Sequence, residues 1–274
     1  MKRTSNSPRN REQFKTKKSL GQNFIMDEGI LSEIADISEI GPDDYVLEIG
    51  TGLGTLTKQL ADRAAHVVTI EIDDSLIPIL NVSFSGIDNI TLIHGNALKL
   101  DIREIMLRYS PFHVVANIPY YLTTDLLNIL LLKDLPIKSV NVMVQKEAAE
   151  RIVAGPGDDA YGMLAVRTRL RGNAEIMLEV PAAMFNPPPK CDSAFVRIVY
   201  EQENGYSAEE RSLINKVSSA IFLMRRKTLL NNLCSSFHLS REAALDILTQ
   251  CGLDDRVRGE TLDVPTFLQI AKLL

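Results

Sequence analysis

The sequence predicts a doubly wound α/β domain followed by a small all-helical domain. Three observations carry this. Apolar strand-like runs alternate with helix-like stretches from Tyr45 to about Tyr200, a glycine-rich turn directly follows the first run, and the pattern after Tyr200 is helical throughout. With 274 residues, of which 45% are hydrophobic and 24% charged, the chain is long enough for one large domain and a smaller one. The expected organisation is a flexible basic arm over 1–18, an α/β domain over 19–202 and a helical domain over 203–274.

The run Tyr45-Val46-Leu47-Glu48-Ile49 reads as the first strand, ended by glycines, with helical spacing following through Leu56, Leu60 and Ala64. Val67–Ile70 is a second strand ending at Glu71, Ile90–Ile93 a third and His113–Ala116 a fourth. Leu126–Leu132 reads as a helix and Ser139–Val144 as a fifth strand. Leu164–Arg171 fits either an alternating strand or one helix face, and periodicity does not decide between them. Ile176–Val180 and Ala194–Val199 form a closing pair. Glu201–Tyr206 is polar with Gly205, a linker. Ser207 with Glu210 then matches a capping box, in which hydroxyl and carboxylate satisfy free N–H groups at a helix start. Helices are expected over Leu213–Leu223, Lys227–Phe237, Arg241–Cys251 and Pro265–Leu273, with Pro265 in a first turn and Gly252 at a helix end.

No apolar run approaches the roughly 18 to 20 residues that span a membrane, and the N-terminus has no secretory-type segment. Cys191, Cys234 and Cys251 are far apart, which argues against a disulfide framework and suits a reducing cytoplasm. His66, His94, His113 and His238 are equally scattered, so a metal site has no support. The net charge is −5, but binding a polyanion needs a local basic surface rather than a basic total. Three groups qualify: Lys2, Arg3, Arg9, Arg11, Lys15, Lys17 and Lys18 in the arm; Arg167, Arg169 and Arg171; and Arg225, Arg226 and Lys227. The arm resembles a mitochondrial transit peptide in composition, but Phe14 is its only large apolar residue and no amphipathic helix is available.

Glu48-Ile49-Gly50-Thr51-Gly52-Leu53-Gly54 sits where the first strand turns into a helix. Its G-x-G-x-G spacing differs from the G-x-G-x-x-G dinucleotide fingerprint. Glu71, about twenty residues on, stands where a carboxylate accepts from both ribose hydroxyls. Together they point to an adenosine-containing ligand, with nicotinamide cofactors still open. Asn96, after the third strand, reads as an adenine contact or as a simple turn former.

Asn117-Ile118-Pro119-Tyr120 follows the fourth strand and carries the chemistry. The lone pair of an adenine amino group is delocalised into the ring, so that nitrogen is a poor nucleophile. Two acceptors aimed at its N–H groups favour a tetrahedral nitrogen and free the lone pair. Asn117 supplies a side-chain oxygen; Pro119 fixes the chain direction so that the local backbone presents a carbonyl; Tyr120 offers a flat face for a base. Catalysis is then mostly orientation and electrostatics. Phe185-Asn186-Pro187-Pro188-Pro189-Lys190 adds a second aromatic on a stiff loop. Phe185 reads as a cover for the other face of the base or as a buried anchor, and Lys190 as a phosphate contact.

On these motifs the chain resembles the ribosomal RNA adenine dimethyltransferase family, and most closely its bacterial small-subunit branch. The resemblance runs from Lys17 to Leu274 and opens on Leu20-Gly21-Gln22-Asn23-Phe24-Ile25. It implies a Rossmann-like S-adenosylmethionine-dependent domain, with Asn23, Ile25, Gly50, Gly52, Glu71, Asn96 and Asn117 as cofactor contacts. It implies Asn117, Pro119, Tyr120 and Phe185 at the reacting base. Phe222–Leu229 matches a basic helix on the RNA side, so Arg225, Arg226, Lys227 and Lys190 are the expected RNA contacts. The implied activity is dimethylation of two adjacent adenosines in the 3′-terminal hairpin of 16S rRNA on an assembling small subunit, by a cytoplasmic monomer without a metal. Loss of that activity in such bacteria typically gives kasugamycin resistance. Two positions depart from the family: Asn96 replaces its usual Asp, for which weaker cofactor binding is expected, and Thr51 replaces its usual Pro. The competing readings are the large-subunit rRNA enzyme of macrolide resistance, a mitochondrial relative, a non-catalytic ribosome-assembly factor and an NAD-dependent oxidoreductase.

Overall fold

The computed structural model describes residue 17 and residues 21–201 and 205–274. Apart from Lys17, the arm expected over 1–18 lies outside the described residues, as do Leu20 and positions 202–204 of the expected linker. Lys17 itself makes an ion pair to Asp73 at 2.6 Å.

The chain enters through a two-residue strand, β1 (Phe24–Ile25), and helix α1 (Glu28–Ile37), whose N-cap Asp27 accepts from the Ile30 N–H. The apolar runs then form one sheet: β2 (Tyr45–Ile49), β3 (His66–Glu71), β4 (Ile90–His94), β5 (Phe112–Asn117) and β6 (Ile137–Gln145) are parallel. Between them lie α2 (Thr55–Ala61), α3 (Ile77–Ser83), α4 (Ile102–Ile105) and α5 (Thr123–Leu132). After β6 come α6 (Lys146–Val153), α7 (Met163–Arg169), β7 (Gly172–Val180), β8 (Phe185–Asn186) and β9 (Ser193–Tyr200). The closing pair, β7 and β9, is antiparallel, and β8 pairs with β1 in a separate small sheet.

Successive strand residues point to opposite faces, and both faces are buried, which is why the strands read as nearly unbroken apolar runs. Val46, Val67 and Val115 pack with Ile34 of α1 and Leu60 of α2. Leu47, Val68, Val114 and Val142 pack with Leu126, Leu127 and Leu130 of α5. The sheet order is β4-β3-β2-β5-β6-β9-β7. From β2 the chain steps outward to β3 and β4, then returns to β5 on the other side of β2. The loops leaving β2 and β5 therefore part from each other, and a crevice opens at the carboxyl ends of those strands.

The chain ends in helices α8 (Ala208–Phe222), α9 (Leu229–Phe237), α10 (Arg241–Gln250) and α11 (Val264–Leu273). The capping box at Ser207 and Glu210 forms with both reciprocal hydrogen bonds. Leu164–Arg171, ambiguous by period, is mostly the helix α7. Its Ala165 and Val166, with Tyr161 and Leu170, join Ile214, Leu229, Leu248 and Phe267 in one core. The helical core thus draws on residues well before 203. Of Phe222–Leu229, expected as a basic helix, only the two end residues are helical; Leu223–Thr228 is the turn between α8 and α9, and Thr228 caps α9 by accepting from the Asn231 N–H and so fixes where that helix starts.

Candidate active site

At the crevice the glycine loop turns off β2 with the Gly50 and Thr51 N–H groups on the Ile70 carbonyl. Gly52 adopts φ 56°, and a Cβ there would lie 2.9 Å from the Phe24 ring, so both the turn and the approach of the N-terminal segment require glycine. The Gly52 N–H donates to Glu71 Oε2 at 2.8 Å, and the other carboxylate oxygen accepts from the Ile72 and Asp73 N–H groups. Glu71 is therefore aligned by three backbone donors, with acceptor capacity left on Oε2. Burial raises its pKa against the pull of those donors.

Two further acids flank it. Glu48 is 1% exposed; its Oε2 accepts from Thr57 and Thr69, each at 2.6 Å, while its Oε1 is buried without a partner. Burial, opposed by those hydroxyls and reinforced by the Glu71 charge, raises its pKa to about 7. Thr51 joins the same chain through the Thr69 hydroxyl at 2.6 Å, so the residue that replaces the usual loop proline has a local role. Asp73 is the opposite case. Burial alone would raise its pKa, but hydrogen bonds from Lys17, Ser75 and Gln22 outweigh it and hold the carboxyl at about 2. These bonds fasten the segment bearing Gly21–Ile25 beside the crevice.

Across the crevice, Asn117 ends β5. Its Nδ2 donates to the Asn23 carbonyl at 3.1 Å, and Oδ1 has no hydrogen-bond partner among the described residues. The Pro119 carbonyl is taken by the Leu122 N–H at 2.8 Å, whereas no donor among the described residues reaches the Ile118 carbonyl. The available backbone acceptor is thus that of Ile118. Tyr120 is half-buried, with its hydroxyl fixed by the buried Ser193 at 2.7 Å.

These residues line one open cavity of about 1260 Å³, mouth included. Asn23, Ile25, Gly50, Gly52, Glu71, Asn96, Asn117, Pro119 and Tyr120 all border it. Asn96 uses its Oδ1 to accept from the Leu98 N–H at 2.9 Å, the local turn role, and keeps one lone pair for a ligand. The structure does not bring Phe185 into the cavity. It is 4% exposed, paired with Ile25 through β8 and packed in the core beside Val46 and Val115, so the buried-anchor reading holds in this structure. Glu48 and Ile72 border the cavity without a sequence expectation. Glu48 reads as an ordinary strand residue unless its burial is known, and position 72 was legible only as the neighbour of Glu71.

The basic groups separate. Arg167 bonds Asn128 and Asn215, Arg169 the Val153 and Ala154 carbonyls, and Arg171 the Leu131 and Lys133 carbonyls. They hold elements together and do not form the basic surface expected from their spacing. Arg225 is committed as well, to Glu260 at 2.8 Å and to the Asp159 carbonyl. Arg226, Lys227 and Lys190 are exposed, with no side-chain partner among the described residues. Among those residues no group of three or more His, Cys, Asp or Glu is placed to hold a metal ion, and no helix is long and apolar enough to cross a membrane.

Strand order, switch-point cavity, glycine loop and strand-end carboxylate define a Rossmann-like methyltransferase. A profile described as ribosomal RNA adenine dimethylase matches residues 13–274. The chain belongs to the ribosomal RNA adenine dimethylase family. It is 41% identical over 268 residues to ribosomal RNA small subunit methyltransferase A of Geobacillus kaustophilus, covering 95% of this chain and 92% of that one. The protein of the same name from Clostridium botulinum is 41% identical over 258 residues, covering 94% of each. Among solved structures, a dimethyladenosine transferase from Plasmodium falciparum matches with TM-score 0.78 and 27% identity, covering 90% of this chain and 95% of that one. The 23S rRNA methyltransferase ErmE matches with TM-score 0.73 and 26% identity, covering 92% and 99%.

Proposed function

We propose that this protein dimethylates the exocyclic amino nitrogens of two adjacent adenosines in the 3′-terminal hairpin of 16S rRNA, on the assembling small subunit, as a cytoplasmic monomer using S-adenosylmethionine. One observation carries the reading. Asn117 is held through its own Nδ2, leaving Oδ1 as an acceptor beside the unpaired Ile118 carbonyl at the switch point.

The residues present fit the cofactor. Glu71 keeps acceptor capacity for ribose hydroxyls, Ile72 offers an apolar surface, and Gly52 leaves the loop backbone open to close approach. The orphaned Glu48 Oε1 is the kind of acceptor that a cationic amino group satisfies. When bound, S-adenosylmethionine supplies a methyl group on a positively charged sulfur. The chain's own residues prepare the nucleophile. Tyr120, pinned by Ser193, stacks on the adenine, while Asn117 Oδ1 and the Ile118 carbonyl accept the two amino N–H bonds. That arrangement localises the nitrogen lone pair and aims it, so most of the catalysis is preorganisation. The surplus proton leaves to water after transfer, so no strong base is required. Arg226, Lys227 and Lys190 supply phosphate contacts, and Arg225 braces the turn that carries two of them.

The test is incubation with isotopically labelled S-adenosylmethionine and small subunits lacking these methyl groups, followed by mass-spectrometric mapping. Dimethyladenosine in the 3′-terminal hairpin is the expected product. Label appearing only in 23S rRNA, or nowhere despite cofactor and subunit binding, overturns the reading.

A further inference from the structure

Phe24, Tyr120, Tyr121 and Phe195 border the cavity, of which Phe195 is buried and Phe24 half-buried, so with Phe185 packed in the core a second platform must come from a ring open to solvent. Among the described phenylalanine and tyrosine side chains only one is exposed. Tyr121 is 58% exposed and also borders the cavity, which places it at the mouth. An exposed ring forgoes the burial that drives other aromatics inward, and here it stands beside the residue that carries the chemistry.

The ring is held in place. Tyr121 lies in the single 3-10 turn Tyr120–Leu122, closed by the Leu122 N–H on the Pro119 carbonyl at 2.8 Å. It packs against Gly21, where a Cβ would come within 3.2 Å of two ring carbons. Gly21 also has φ +59°, so main chain rather than side chain backs the ring. That segment is itself fastened through Gln22 to Asp73 at 2.8 Å. A planar, braced and solvent-facing ring at a cavity mouth has the form of a stacking platform, since every nucleobase has a face to offer it and stacking needs no particular hydrogen-bond pattern.

We propose that Tyr121 stacks on the base next to the one being methylated. This rests on the reading that two adjacent adenosines are the substrate. While one base is unstacked and drawn in over Tyr120, its neighbour has lost a stacking partner of its own and lies at the mouth. Tyr121 replaces that partner, which lowers the cost of extracting the first base and keeps the second within reach for the next round. Tyr121 is thus a substrate-positioning residue, distinct from Tyr120 on the reacting base.

The experiment compares Tyr121→Phe, Tyr121→Leu and Tyr121→Ala with the wild type on subunits lacking the methyl groups, reading KM for the subunit, kcat and the cofactor Kd by calorimetry. Leu retains apolar bulk against Gly21 but removes the flat face. Loss of stacking is expected to raise KM about 10-fold in the Leu and Ala variants, with kcat within about 2-fold of wild type. Phe should behave as wild type, and the cofactor Kd should not move in any variant. Mapping at low conversion, with cofactor in excess and enzyme limiting, should show a smaller share of the modified subunits carrying methyl groups on both adenosines in the Leu and Ala variants. Leu performing as well as Phe would reduce the ring to a brace for Gly21 and overturn the proposal, as would a change in cofactor Kd with KM unchanged. A wild type that leaves these subunits unmethylated would instead sink the substrate reading beneath it, and that result is visible before any variant is compared.

Discussion

The two edges of the sheet treat their carboxyl groups in opposite ways. At the edge away from the cavity, Asp44 bonds Lys138 and the Gly41 N–H, Glu39 pairs with Arg197, and His113 Nδ1 meets the Ser139 hydroxyl at 2.7 Å. The carboxyls respond accordingly. Hydrogen bonding to Arg197 lowers Glu39, and in Asp44 the partners outweigh a burial effect that acts in the other direction. At the cavity edge, Glu48 and Glu71 are both raised by burial, Glu48 to about 7, and Glu48 keeps an oxygen without a partner. Asp73 is the exception there, and its partners are the ones that fasten the N-terminal segment. Groups that satisfy one another stabilise the fold, whereas groups kept in reserve for a ligand destabilise it until the ligand arrives.

The contrast can be broken at named residues. Asn117→Ala should lower kcat by roughly 100-fold or more, the scale of losing one preorganised polar contact in a transition state. Subunit binding and melting temperature should stay near wild type; a normal rate would remove the acceptor mechanism. Glu71→Ala should raise the cofactor Kd by about 10-fold or more and also lower the melting temperature, because the Gly52, Ile72 and Asp73 N–H groups lose their acceptor. An unchanged Kd by calorimetry would take Glu71 off the ribose. Asp44→Ala, at the far edge, should cost about 1–3 kcal/mol of stability in denaturant titration and leave the cofactor Kd alone. A shifted Kd would show that the edges are coupled.

A smaller and sharper contrast lies in pH. The Glu48 pKa is raised on folding, so its contribution is fully present below the unfolded value of 4.5 and is lost as pH rises through about 7. That of His113 is lowered by burial below 6.5, so its contribution is present above 6.5 and is lost as pH falls through the folded value. The two contributions therefore act with opposite signs over the acid-to-neutral range, Glu48 weakening the fold as pH rises from 4.5 to about 7 and His113 weakening it as pH falls below 6.5. In melting temperature against pH, Glu48→Gln should remove the loss on raising pH from 4.5 to about 7, and His113→Asn the loss on lowering pH below 6.5; the opposite change in either variant would reverse the assignment. The smallest effects concern RNA. Arg226→Ala and Lys227→Ala should each reduce the salt slope of subunit binding by about 1, while Arg225→Ala should act mainly on stability. Equal slopes in all three would contradict the different positions of these cations.

Strand positions were legible because a sheet buried on both faces writes apolar runs directly into the sequence. The cavity was legible from Gly50, Glu71 and Asn117, whose residue types and spacing carry specific chemistry. What remained hidden depended on partners distant in the chain. Leu164–Arg171 is mainly helical and packs against residues from Ile214 onward, a contact that period alone does not reveal. The arginines at 167, 169 and 171 look like a surface until their carbonyl and amide partners are seen. Phe222–Leu229 has helical composition, and only the Thr228 cap shows where the next helix begins. Phe185 reads equally well as platform or anchor until its pairing with Ile25 puts it in the core. Helix α6 spans eight residues with two buried positions, too few for periodicity to register.

Helix α7 has a consequence for anyone who would exchange the parts of this protein. The polar stretch after Tyr200 invites a cut, yet Tyr161, Ala165, Val166 and Leu170 are interior to the helical bundle while their own backbone belongs to the upstream chain. A graft made at the linker would leave a groove in one piece and an apolar ridge on the other. A workable chimera of two relatives has to take α7 from the same parent as α8–α11, so the unit that can be inherited intact is not the one that the linker marks.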